Sequence, residues 1–120
     1  MSISVPVSFG EVFDKLSILD IKKIYFTDIE KLKHIENERI CILTSLDKLS
    51  CPAELYIELV KINIDIWIRM EQLRDTSIID DMNRWNQICR ETLDLNDARF
   101  KVKNNINIKM NSLLRECKSY

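Results

Sequence analysis

The chain has 120 residues and a mass of 14.2 kDa, enough for one hydrophobic core and too little for two. Hydrophobic residues make up 46% and charged residues 31%, a globular balance. The net charge of −1 gives no overall field to draw in nucleic acid or an anionic membrane. One glycine and two prolines cannot turn a multi-stranded sheet, so the composition points to an all-α fold.

Residues 1–7 alternate apolar and polar side chains (Ile3, Val5, Val7) and read as a short extended arm. Ser8-x-x-Glu11 is a capping box that opens a first helix over 8–25, and Thr27-x-x-Glu30 opens a second over 27–49. Pro52 after Ser50, with Glu54 in the first turn, opens a third over 52–74. Ser77-x-x-Asp80 starts a fourth over 77–93. Asn96 or Asp97 caps a fifth over 96–117, unless the last two form one bent helix. The expected architecture is a single domain, 1–120, folded as a compact antiparallel bundle of four to five helices with an extended N-terminal arm.

The third helix carries two apolar stripes. Leu55, Leu59, Ile62, Ile66, Met70 and Leu73 form one, and Ile57, Val60, Ile64, Trp67 and Ile68 form the other, nearly opposite. A helix apolar on two faces is either the centre of a bundle or half-covered by another subunit, so a homo-oligomer is expected.

Several charged residues fall on apolar faces. Asp20 lies within the stripe Phe9, Val12, Phe13, Leu16, Leu19 and Ile24 of the first helix. Arg39 lies mid-stripe in the second, Glu71 follows Trp67 in the third, and Arg74 comes close behind. Arg99 borders the face formed by Ala98, Val102, Ile106, Leu113 and Cys117. Buried charges without partners cost several kcal/mol, so these groups are expected to meet one another or a ligand. One reading is an internal network that sets helix register; the other is an interhelical pocket whose arginines grip a carboxylate or phosphate.

Other chemistries find little footing. The lone His34 leaves no His-based acid/base pair or Cys/His metal site, and the four cysteines lack C-x-x-C spacing. Glu91, Asp94 and Asp97 stand one turn apart but lack a matching E-x-x-E on another helix, so no metal and no cofactor are expected. Residues 98–120 carry six Lys/Arg against one Glu, without the interleaved aromatics of a single-strand binder, which disfavours nucleic acid. With no membrane-length apolar run and no charged leader at the start, no membrane association and a cytoplasmic location are expected.

Ile3-Ser4-Val5-Pro6-Val7-Ser8-Phe9-Gly10-Glu11, continuing Asp14-Lys15-Leu16-Ser17-Ile18-Leu19-Asp20-Ile21-Lys22, resembles the V-P-V-S-x-G-E and D-K-x-T/S-I-L-x-I-K opening of the domain of unknown function 6165 family. These are small proteins of bacteria and phages. Asn96-Asp97-x-Arg99-x-x-x-Lys103-x-x-Ile106-Asn107 and the ending Lys118-Ser119-Tyr120 are similar too. Trp67, Glu71 and Arg74 are loosely similar to the family's L-W-x-x-E-x-x-I-R, with one residue more between Trp and Glu and one fewer between Glu and Arg. The resemblance implies a compact helical domain, gives no activity, and carries a loose association with phage and polysaccharide-pathway genes. It marks polar positions that include Asp14, Asp20, Lys22, Glu71, Arg74, Asp97, Arg99 and Lys103. Arg39 departs from the pattern and is expected to be a local partner of Glu36 or Asp20.

The leading expectation is a non-enzymatic binding or adaptor protein, a homo-oligomer that acts through protein–protein contacts with an unknown protein partner. The rival is a ligand-binding domain or small enzyme for a phosphorylated metabolite or nucleotide sugar. In that reading Arg74, Arg99 and Lys103 hold the anion, Glu71 or Asp97 orients it or acts as acid/base, and Asp20 completes the pocket.

Overall fold

The computed structural model describes residues 1–114 and 116–117; Arg115 and the Lys118-Ser119-Tyr120 ending lie outside them. The fold is an all-α bundle of four helices: α1 (Phe9–Tyr25), α2 (Ile29–Leu46), α3 (Ala53–Arg74) and α4 (Met82–Lys109). A 3-10 turn, Thr76–Asp80, links the last two, and no strand occurs among the described residues. Residues 1–7 form no regular element and are exposed.

The helix starts follow side-chain capping. Ser8 accepts from the Glu11 N–H at 3.1 Å, and Asp28 accepts from the Lys31 N–H at 3.0 Å, so Asp28 and not Thr27 is the cap of α2. Asp75 accepts from Ser77 N–H and Asp81 from Arg84 N–H, which turns the expected start at Ser77 into a 3-10 link before α4.

Two expected C-terminal helices are one. No glycine or proline interrupts Met82–Lys109, so the backbone ladder runs past Asn96 and Asp97. The stop lies at Asn111, whose φ of 55° is left-handed. Asn111 N–H donates to Ile108 O, and Ser112 N–H donates to Asn107 O at 2.8 Å, the double bond pattern of a Schellman ending. Leu113, expected in the buried face of a longer helix, is therefore 99% exposed, and Cys117 is exposed as well.

α1 is the central helix and packs on the other three, while α2 packs along α1 alone. Contacts step oppositely along α1 and α2 (Asp20 to Arg39, Lys23 to Glu36) and along α1 and α4 (Gly10 to Asn107, Asp14 to Arg99), so both pairs are antiparallel. The core joins Phe13 and Leu16 to Leu46, Leu59, Val102 and Ile106, each side chain contributing about 1.5–3 kcal/mol by burial. Ile24, expected in that face, lies beyond the core's reach near the end of α1 and is 73% exposed. Of the two stripes on α3, the first is centred on the fully buried Leu59 with its other members half-buried, and Val60, Ile64 and Trp67 of the second are half-buried too. Ile57 and Ile68, on the other, face solvent.

Candidate functional site

A polar stripe on α1 organises the interior. Gly10, Asp14 and Ser17 recur at i, i+4 and i+7 and face α4 and α3. The Gly10 N–H donates to Asn107 Oδ1 at 2.7 Å. A Cβ there would collide with the Lys103 carbonyl oxygen and stand 3.0 Å from Asn107 Oδ1, so glycine sets the close approach of α1 to α4.

That approach brings Arg99 and Lys103, one turn apart on α4, against Asp14. Asp14 is 2% exposed and accepts from Arg99 Nε at 2.8 Å and from Arg99 Nη2, a bidentate pair. Asn63 Nδ2 on α3 donates to Asp14 Oδ1 at 2.9 Å and to Ser17 Oγ at 2.7 Å, and Ser17 Oγ donates to the Asp14 carbonyl at 2.6 Å. The hydrogen bond to Asp14 raises the pKa of Arg99, against the opposing effect of burial. Lys103 pairs with Glu11 at 2.8 Å and Glu116 at 3.1 Å, with Asp14 at 4.0 Å. Burial works against its charge, but those three carboxylates outweigh it and the pKa is raised. The network is closed: each buried charge faces its opposite.

On the far side of Arg99 the three helices α1, α3 and α4 leave a cavity of about 450 Å³. Ile18, Ile21, Ile66 and Met70 form its apolar wall, and Phe26 and Trp67 add aromatic edges. Trp67 stacks on Tyr25 with centroids 5.3 Å apart and planes at 16°, and it meets Phe26 at 6.0 Å. Lys22, Arg74 and Arg99 bring cations to the same cavity from three different helices. Glu71 is the one carboxylate lining it and pairs with Arg74 at 3.2 Å. Lys22 makes no ion pair among the described residues, and Arg99, which engages Asp14 through Nε and Nη2, also lines the cavity. A more open hollow shares Phe26, Trp67 and Glu71 and continues toward Asp75.

Of the residues predicted from sequence, Glu71, Arg74 and Arg99 converge on this cavity. Glu71 does so from the rim, exposed and not inward as its stripe implied, because that stripe is only half-covered and Glu71 lies near the end of α3. Asp20 stands on the α2 side of α1, where it accepts from Arg39 Nε at 2.9 Å and from the Tyr56 hydroxyl at 2.6 Å. Arg39 is thus the local partner of Asp20, with Glu36 at 3.5 Å. Lys103 sits with Glu11 and Glu116, and Asp97 is half-buried on α4; neither lines the cavity. Among the described residues no three His, Cys, Asp or Glu side chains are grouped to hold a metal ion; Glu91 instead pairs with Arg69 at 3.1 Å. No described helix is long and apolar enough to cross a membrane.

Periodicity missed Asn63, and it missed Asp14 and Lys22, which the resemblance marked as polar positions but which were not placed in the candidate site. The signal for Asp14 was present: small or polar residues at 10, 14 and 17 form a second stripe on α1, the mark of a helix approached closely on two sides. Asn63 had no local signal, since it lies on the polar phase of an Ile-Asn-Ile-Asp alternation. Comparison with known proteins finds no protein family, no curated protein and no solved structure that matches the chain.

Proposed function

We propose that the protein is a binding protein for a small organic anion, a phosphate or carboxylate attached to a planar or apolar body, held in the cavity between α1, α3 and α4. The observation that carries this reading is the convergence of Lys22, Arg74 and Arg99 on an apolar, tryptophan-edged cavity whose only lining carboxylate is already paired. The Arg99 guanidinium and the Lys22 ammonium would take the anion. Asn63, whose amide is held by Asp14 and Ser17, fixes the floor, and Trp67 and Phe26 would cover the body of the ligand. Phosphorylated sugars and nucleotide sugars have this chemistry.

The test uses Trp67 as reporter in the Trp85→Phe protein, titrated with inorganic phosphate, a hexose phosphate, a nucleoside monophosphate and a nucleotide sugar. A saturable change in Trp67 emission is expected for at least one organic phosphate, together with thermal stabilisation of about 2.7 kcal/mol at a hundredfold excess over Kd. Lys22→Ala should remove both without altering the unliganded melting temperature. No response to any of the four probes refutes the reading.

A further inference from the structure

We propose that two copies of the chain associate through the outward face of α3, paired antiparallel about its middle. At 3.6 residues per turn Ile57, Ile64 and Ile68 fall within about 40° of one another, a strip about 17 Å long. Leu59 and Asn63, buried in the core, lie on the opposite side of the helix. Ile57 is 53% and Ile68 42% exposed, and Ile64 between them is half-buried, so the strip is only partly covered within the chain.

The residues beside the strip identify the occupant as a second copy. One flank is polar: Glu54, Lys61, Asp65 and Gln72, none of which makes an ion pair among the described residues. The other flank is apolar along the strip, with Val60 and Trp67; Glu71 lies beyond the strip's C-terminal end, where it pairs with Arg74. In an antiparallel helix pair related by a twofold axis, like flanks meet like. Setting Ile57 against the partner's Ile68 then brings Lys61 beside the partner's Asp65 and Glu54 beside the partner's Gln72. On the other side Val60 meets the partner's Trp67. Each contact occurs twice by symmetry, and both unpaired charges at the centre are matched. A parallel pair would instead set the polar flank against the apolar one.

The inference does not rest on the proposed ligand: Trp67 borders both surfaces, and Ile68 and Gln72 line the open hollow beside the cavity, but Ile57, Lys61, Ile64 and Asp65, which the pairing turns on, line neither. Sedimentation velocity of the intact chain at about 100 μM, where a micromolar interface is filled, should show a dimer. Ile57→Glu/Ile68→Glu should sediment as a monomer with an unchanged far-UV circular dichroism spectrum, since both side chains are exposed. Lys61→Asp and Asp65→Lys should each weaken association at least tenfold through repulsion at the centre. Mixing the two single variants should restore it, because each then presents the charge the other lacks. A monomeric parent chain overturns the proposal. So does a dimer indifferent to Ile57→Glu/Ile68→Glu, or a mixture of the two charge variants that stays apart.

Discussion

Arg99→Leu removes every donor that Asp14 receives from α4 while the carboxylate stays buried at 2% exposure. What remains is the hydrogen bond from Asn63 Nδ2 at 2.9 Å and the Lys103 ammonium at 4.0 Å. Breaking one half of a buried ion pair costs about 3–5 kcal/mol, because the other half is stranded in low dielectric. The two remaining partners, and the 26% exposure of the Arg99 side chain, place the expected loss near the lower end, about 3 kcal/mol. For a chain of this size that corresponds to a melting temperature about 10 °C lower. Urea denaturation followed by far-UV circular dichroism measures it directly. The double variant Asp14→Leu/Arg99→Leu removes the stranded charge and should recover about 2 kcal/mol relative to Arg99→Leu. It stays slightly below the parent because Asn63 loses an acceptor. If Arg99→Leu lies within about 1 kcal/mol of the parent, or the double variant is weaker than the single, the pair does not set the α1–α4 register.

Gly10→Ala gains helix propensity of up to about 1 kcal/mol, but its methyl group meets backbone at the Lys103 carbonyl, so a net loss of about 2 kcal/mol is expected in the same assay. Tyr56→Phe removes the 2.6 Å hydrogen bond to Asp20 and should cost about 1.5 kcal/mol at neutral pH. Burial, and then the bond to Asp20, push the Tyr56 hydroxyl above the ordinary tyrosine range. The folded hydroxyl holds its proton more tightly than the unfolded one. Its contribution is therefore complete below about pH 10 and is lost as the pH rises through the folded value. Unfolding free energies measured across that range should fall more steeply for the parent than for Tyr56→Phe; parallel curves would contradict the assignment.

The helical content and most helix starts were legible because capping and periodicity are local. Ser8 and Asp28 bond N–H groups three residues away, and the stripe Leu55, Leu59, Ile62 needs only its own helix to be recognised. The division of α4 into two helices failed for a related reason. Asn96 and Asp97 carry the side chains of a cap, but a cap forms only where the preceding backbone leaves the helix, and nothing between Met82 and Lys109 makes it do so. The real stop, Asn111, uses a left-handed residue that asparagine tolerates without advertising it as glycine does.

The site was legible in part. Arg99, Arg74 and Glu71 were singled out as polar residues on or near apolar stripes, and they do share one cavity. Asp20, on an equally apolar stripe, serves a separate contact with Arg39 and Tyr56, and periodicity has no means of telling the two apart. It reports the angle of a residue on its own helix, not which neighbour that angle meets.

The amino-acid sequence by itself determined that the chain is helical, where most of its helices begin, and which face of each is apolar. These properties depend on backbone hydrogen bonds and side-chain spacing within a turn or two. Only the tertiary structure decided that α1, and not the two-faced α3, is the central helix. It also decided that Asp14 finds Arg99 85 residues away and that Lys22 turns from a surface charge into part of a cavity. Those outcomes depend on how closely two helices can approach. Here that distance is set by the absence of a side chain at Gly10, against the backbone of Lys103.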